Sequence, residues 1–203
     1  MTRRSPRLTA LRWLERGLLT IGLGLAAWCA AVLIDAEHVR NLPVPTATSV
    51  QASERLPGED ESAVATPDSG AWVAKLEVPE IALSATVLEG TDDRTLRRAA
   101  GHIGSTALPG PHGNVGIAGH RDTIFRPLRH VQVGQRMIVT TANDILEYRV
   151  ARVSIVNPED VYVLNPSAEP RLTLVTCYPF TFLGSAPQRL IVQADLTAAR
   201  GRR

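Results

Sequence analysis

Lysine is nearly missing from this chain, cysteine occurs twice, and aromatic residues make up only 4% of its 203 positions. Each scarcity removes a class of protein. Two cysteines, Cys29 and Cys177, are too few and too far apart for a disulfide framework, and no Cys/His cluster has the spacing of a zinc site. Charge of one sign is missing from the body of the chain as well. Residues 1–16 carry +4, residues 35–70 carry −5, residues 71–197 sum to zero and residues 198–203 carry +3, within an overall +2. Binding a polyanion requires several convergent cations, so this division leaves no face suited to nucleic acid. What is present, 44% hydrophobic and 21% charged, is the composition of one globular domain with a short addition.

The addition is amino-terminal. Residues 17–34 contain no charge and one weakly polar residue, Thr20, close to the roughly 20 residues a helix needs to cross a bilayer. Five arginines precede this run, and Asp35 and Glu37 follow it. The arginine excess predicts a single membrane span with a basic cytoplasmic tail (1–16) inside and everything after residue 34 outside. A cleavable signal peptide competes with that reading, but its apolar core is usually shorter and no Ala-x-Ala site occurs here. Cys29 then reads as apolar filler within the span. Residues 35–70, with Pro43, Pro45, Pro57, Pro67 and an acidic run at 59–61, show no apolar periodicity and are expected to form a flexible linker.

From residue 71 the pattern changes to short runs rich in Val, Ile, Leu and Thr. They fall at 72–78, 84–88, 115–118, 136–141, 145–156, 172–177 and 189–194, several of them broken by Gly, Pro, Asn or Asp. Seven or eight short strands over 71–197 predict a mainly β domain closed into a barrel. Two places look helical. Residues 91–98 begin with capping residues and carry acids before bases, and 123–131 has room for a turn or two, interrupted at Pro127. Residues 198–203 are read as a frayed basic tail.

Cys177 is the leading candidate for chemistry. It ends an apolar run and is followed by Tyr178-Pro179, where proline forbids a continuing central strand, so its thiol is expected at a rim. A nucleophilic thiol requires a base or a nearby cation. Of the five histidines, His38, His102 and His112 read as exposed loop residues and His130 as part of a polar turn. His120 differs, because it ends the glycine-bearing segment 114–119 and precedes Arg121-Asp122. Arg189 opens the apolar run Leu190-Ile191-Val192, where a charge is costly unless it has a task or a partner. A guanidinium fork there suits a developing oxyanion. A buried structural cysteine and a surface salt bridge remain the plainer alternatives for Cys177 and Arg189.

These residues together resemble the sortase family. Thr173-Leu174-Val175-Thr176-Cys177 is similar to the signature Thr-Leu-x-Thr-Cys at all four specified positions. Ala118-Gly119-His120-Arg121-Asp122 resembles the family's histidine motif, and Arg189-Leu190-Ile191-Val192 its arginine strand. Three motifs in the order His, Cys, Arg are far more specific than any one alone. The sequence Cys177-Tyr178-Pro179-Phe180, with Gly184-Ser185-Ala186-Pro187 ahead of Gln188-Arg189, is most similar to class D. Class E members tend to carry a histidine after the cysteine, and class C enzymes an Asp-Pro-Trp lid; neither occurs here.

The resemblance implies an eight-stranded barrel with short helices and a cysteine transpeptidase that cleaves a Leu-Pro-x-Thr-Gly-like sorting signal on a protein substrate. The acyl group would pass through a Cys177 thioester to an amine or to water. His120 and Arg189 would complete the catalytic set, with Thr176 and Arg121 as substrate contacts. Class A relatives sometimes bind calcium near their sixth and seventh strands. Glu159, Asp160 and Glu169 fall in that region here and read as solvated loop acids, so neither a metal nor a cofactor is expected. L,D-transpeptidases lack this cysteine context, and papain-like peptidases place cysteine before histidine. The remaining rival is a membrane-tethered barrel that binds peptides without catalysis.

Overall fold

The computed structural model describes residues 15–31, 67–182 and 184–202. They belong to two compact units. In the first, residues 15–31 form a helix, α1, with exposed side chains. Among the described residues no helix is long and apolar enough to cross a membrane. Residues 1–14 of the expected cytoplasmic tail, 32–34 of the expected span and 35–66 of the expected linker lie outside the described residues.

The second unit is a closed barrel. Its strands are β1 (Trp72–Val78), β2 (Leu83–Glu89), β3 (Ala100–His102), β4 (Asn114–Ala118), β5 (Arg136–Thr140), β6 (Asp144–Val156), β7 (Arg171–Tyr178) and β8 (Gln188–Gly201). They close in the order β1-β2-β3-β4-β7-β8-β6-β5. Closure leaves no unpaired edge. Two neighbouring pairs, β2 with β3 and β4 with β7, run parallel, and the other pairs are antiparallel. The period-2 pattern of the sequence becomes an inside and an outside. Leu76 and Val78, Val115 and Ile117, Leu172 and Leu174, and Val192 and Ala194 fill the interior, with Phe125 and Leu128 closing over it.

The helical segment expected at 91–98 is α2 (Asp93–Arg98). Its N-cap Asp92 accepts hydrogen bonds from the backbone N–H of Arg94 and Thr95 and from Thr95 Oγ1 at 2.8–3.1 Å. These bonds, the Thr95 hydroxyl foremost, hold its carboxyl below the usual 3.8. The 123–131 segment contains a 3-10 turn at Arg126–His130, with Pro127 near its start where a missing N–H costs nothing.

Three local expectations require correction. Residues 69 and 70 join the barrel instead of the linker, because the Gly70 N–H donates to the Glu89 carbonyl and Ser69 Oγ to Asp92. The carboxyl end does not fray before Gly201. β8 continues along β6, Arg200 pairs with Glu147, and the Arg202 N–H donates to the Asn143 carbonyl. His102, read as an exposed loop residue, is 2% exposed in β3, its Nδ1 2.7 Å from Glu89 Oε2 and its Nε2 3.0 Å from the Ala107 carbonyl. Ala-Gly-His is too short to register as a strand, yet Gly101 allows the close approach to Gly90 that seats it.

Candidate active site

The parallel pairing of β4 with β7 brings the histidine and cysteine motifs to one rim. Both strands run toward it: Ala118 is level with Val175, and each chain then carries its motif beyond. The Gly119 N–H donates to the Val175 carbonyl at 3.1 Å, and the Gly119 carbonyl accepts from Thr176 Oγ1 at 2.7 Å. Gly119 is therefore bonded to β7 on both sides of its Cα, immediately before His120. A Cβ at Gly119 would lie 2.8 Å from the buried Phe125 ring, so glycine is required for that ring to pack beneath the turn. The Phe125 N–H in turn donates to the His120 carbonyl at 2.9 Å.

The antiparallel pairing of β7 with β8 brings in the arginine. Cys177 and Arg189 are direct cross-strand partners, so their side chains leave the sheet on the same face. Thr176 and Leu190, one residue along, point the other way and are buried. His120, Cys177 and Arg189 line one cleft of about 320 Å³, together with Arg121, Asp122 and the 184–186 segment between β7 and β8. Arg189 Nη1 donates to the Ala186 and Gln188 carbonyls at 3.1 and 2.9 Å, which fixes the guanidinium against that loop.

The two expected substrate contacts have structural partners. Thr176 is 2% exposed and its hydroxyl is committed to Gly119. Arg121 lines the cleft, but its Nη2 donates to the Phe182 and Gly184 carbonyls at 2.5 and 3.1 Å. Asp122 and the 184–186 segment also line the cleft without a site signal of their own in the sequence beyond adjacency, since Asp122 directly follows the His120-Arg121 pair. Glu159 and Glu169 are exposed, Asp160 Oδ2 accepts from the Asn157 N–H, and among the described residues no group of acids, histidines and cysteines is arranged to hold a metal.

A thiol, an imidazole and a clamped guanidinium in one cleft form a set able to carry acyl transfer. Known proteins share the framework. The chain is 32% identical to sortase D of Bacillus subtilis over 127 residues, covering 62% of this chain and 64% of that protein. It is 26% identical to sortase A of Streptococcus agalactiae over 133 residues, covering 61% and 52%. The chain thus spans less than two thirds of the length of these curated relatives. Among solved structures, a Clostridium perfringens sortase D5 transpeptidase matches with a TM-score of 0.59 at 32% identity, over 64% of this chain and 81% of that one. The SrtA sortase of Actinomyces oris matches at 0.61 and 30%, over 68% and 86%. The sortase domain model matches residues 76–197, which is more than half of the sequence and nearly all of the barrel that carries the cleft, and on that ground the chain belongs to the sortase family.

Proposed function

We propose that this protein is a cysteine transpeptidase of the class D type that cleaves a Leu-Pro-x-Thr-Gly-like sorting signal and joins the fragment ending in threonine, through its acyl group, to an amine. Cys177 as thiolate attacks the threonine carbonyl carbon, and the resulting oxyanion takes hydrogen bonds from Arg189. The Thr–Gly C–N bond breaks as His120, as imidazolium, gives its proton to the departing amine. A thioester on Cys177 remains. The acceptor amine then attacks that carbonyl, loses a proton to the neutral His120, and the C–S bond breaks to restore the thiolate. Water in place of the amine gives hydrolysis.

The observation that carries the reading is the pairing of Cys177 with Arg189 across β7 and β8, in the same cleft as His120. The apolar run at 17–34 supports an anchor with its amino terminus in the cytoplasm and the barrel on the extracytoplasmic side. Its partners are then the membrane, proteins bearing the sorting signal, and an envelope amine.

The test uses the full chain in detergent micelles with a fluorogenic Leu-Pro-x-Thr-Gly peptide, beside Cys177→Ala. Cleavage by the wild type alone, with the peptide's acyl mass found on Cys177, is the expected result. Absence of wild-type cleavage across a panel of related signals sinks the proposal in favour of a binding barrel.

A further inference from the structure

β4 and β7 also meet at the end away from the rim, where a buried amide ties three segments together. Asn114, the first residue of β4, is 3% exposed, and Thr173 of β7 is fully buried. Asn114 Oδ1 accepts from Thr173 Oγ1 at 2.7 Å, while Nδ2 donates to the carbonyls of Val163 and Asn165, each at 3.1 Å. Gln193 Nε2 approaches the Val163 carbonyl at 3.5 Å. The orientation of the amide is unambiguous, because a flipped group would aim its oxygen at two carbonyl oxygens. Both hydrogens of Nδ2 and the acceptor oxygen are in use, so the group is satisfied within the fold.

Val163 and Asn165 belong to the crossover from β6 to β7, residues 157–170, which contains the 3-10 turn Val161–Leu164. This crossover leaves the sheet beside Arg189, since the last residue of β6, Val156, is the cross-strand partner of Arg189. It then packs over the outer face of β4. A Cβ at Gly116 would stand 3.0 Å from Leu164 Cδ2. Val115, Ile117, Leu172 and Leu174 face the core, so Asn114, Gly116, Ala118, Thr173, Val175 and Cys177 share the opposite face. Ala118 and Val175 are only half-buried there. From the amide a strip of small side chains therefore leads about 13 Å, four strand residues, to the nucleophile. The crossover, together with Ile103 and Thr106, covers the Asn114–Gly116 end of this strip, and its Val161 and Tyr162 are 67% and 61% exposed.

We infer that Asn114 is a positioning residue for substrate binding. It holds the β6–β7 crossover at a fixed height over the strand pair that carries His120 and Cys177, so that the peptide is received by a preformed wall. The inference rests on the proposed peptide substrate. Unlike a metal clamp, this tie requires no ion, because the donors and acceptors balance within the chain.

Asn114→Asp tests it in the full chain. The carboxylate keeps the shape and the acceptor for Thr173 but turns an acceptor-only oxygen toward two carbonyls. The expected result is a rise of about tenfold in peptide KM, the order expected for losing buried hydrogen bonds, with kcat within about twofold. Amide hydrogen exchange should accelerate across 157–170, and the rate of iodoacetamide modification at Cys177, read by mass spectrometry, should not change. Added calcium or a chelator should leave the wild-type KM unaltered. A lower melting temperature with wild-type KM and wild-type exchange in 157–170 overturns the inference, and so does a loss of kcat alone. Where Asn114→Asp fails to fold, Thr173→Val and Thr173→Ser replace it: the valine variant should raise KM and loop exchange and the serine variant should restore both, whereas wild-type behaviour in both overturns the inference. Failure of the peptide reading shows separately, as no cleavage by the wild type, while the exchange measurement still reports on the tie.

Discussion

Thr176 donates its hydroxyl to the Gly119 carbonyl at 2.7 Å, linking the residue before Cys177 to the residue before His120. The strand alternation that exposes Cys177 at the cleft turns Thr176 inward, so its hydroxyl serves the register between the two motifs. Thr176→Val keeps the volume and leaves the Gly119 carbonyl without that donor. A loss of about 1–3 kcal/mol of stability is expected from an unsatisfied buried carbonyl. Steady-state kinetics should show kcat falling with peptide KM nearly unchanged, and Thr176→Ser should restore it. A rise in KM alone would return Thr176 to the role of substrate contact.

Arg189 can be separated from a simple positive charge. Its fork is held by the Ala186 and Gln188 carbonyls through Nη1 and faces the same side of the sheet as Cys177. A lysine at this position supplies charge on a flexible stem but cannot hold that brace and reach an oxyanion with fixed donors. Arg189→Ala should lower kcat by about 10²–10³, the scale of removing an oxyanion donor. Arg189→Lys should recover only a small part of that loss. Single-turnover acylation of Cys177 is the measurement, since in the proposed mechanism it isolates the step in which the oxyanion first forms.

Arg121 braces the β7–β8 loop from the opposite end, through the Phe182 and Gly184 carbonyls. Gly184, Ser185 and Ala186 line the cleft, so loosening this loop alters a wall of the cleft while Cys177 stays in β7 and His120 stays two residues past the end of β4. Arg121→Gln is expected to accelerate hydrogen exchange in 181–187 and to shift product partition from amine transfer toward hydrolysis. Product analysis by mass spectrometry at fixed acceptor concentration reads that ratio. An unchanged ratio with wild-type exchange removes the brace from the account.

The meeting of His120, Cys177 and Arg189 in one cleft was legible because each motif is local. Thr-Leu-Val-Thr-Cys carries its own strand pattern and stop signal, and Arg189 stands out as a charge on an apolar run. The barrel was legible from the strand-length runs, but β3 was not: three residues hold no period, and only pairing with β2 and β4 makes them a strand. The burial of His102 followed the same logic, since its partners Glu89 and Ala107 lie 13 residues before and 5 after it. The hydroxyl of Thr176 and the fork of Arg121 looked available for substrate because sequence lists donors without their acceptors. Both acceptors are backbone carbonyls, which no residue type announces.

Tyr148 gives the barrel an alkaline limit. It lies in β6, 1% exposed in the core, and burial pushes its phenol from 10 up to about 12. Below pH 10 the phenol is protonated whether the chain is folded or unfolded, and stability does not depend on it. Between pH 10 and 12 the unfolded chain releases this proton while the folded chain keeps it. The unfolded state is therefore favoured progressively as pH rises. A separation of about two pKa units corresponds to roughly 2–3 kcal/mol lost across that window. Tyr148→Phe removes the titrating group and preserves the ring, so the difference in unfolding free energy between wild type and variant should change by that amount from pH 9 to pH 12, in favour of the variant. Urea unfolding followed at both pH values provides the measurement, and parallel curves for the two chains would place the alkaline loss elsewhere.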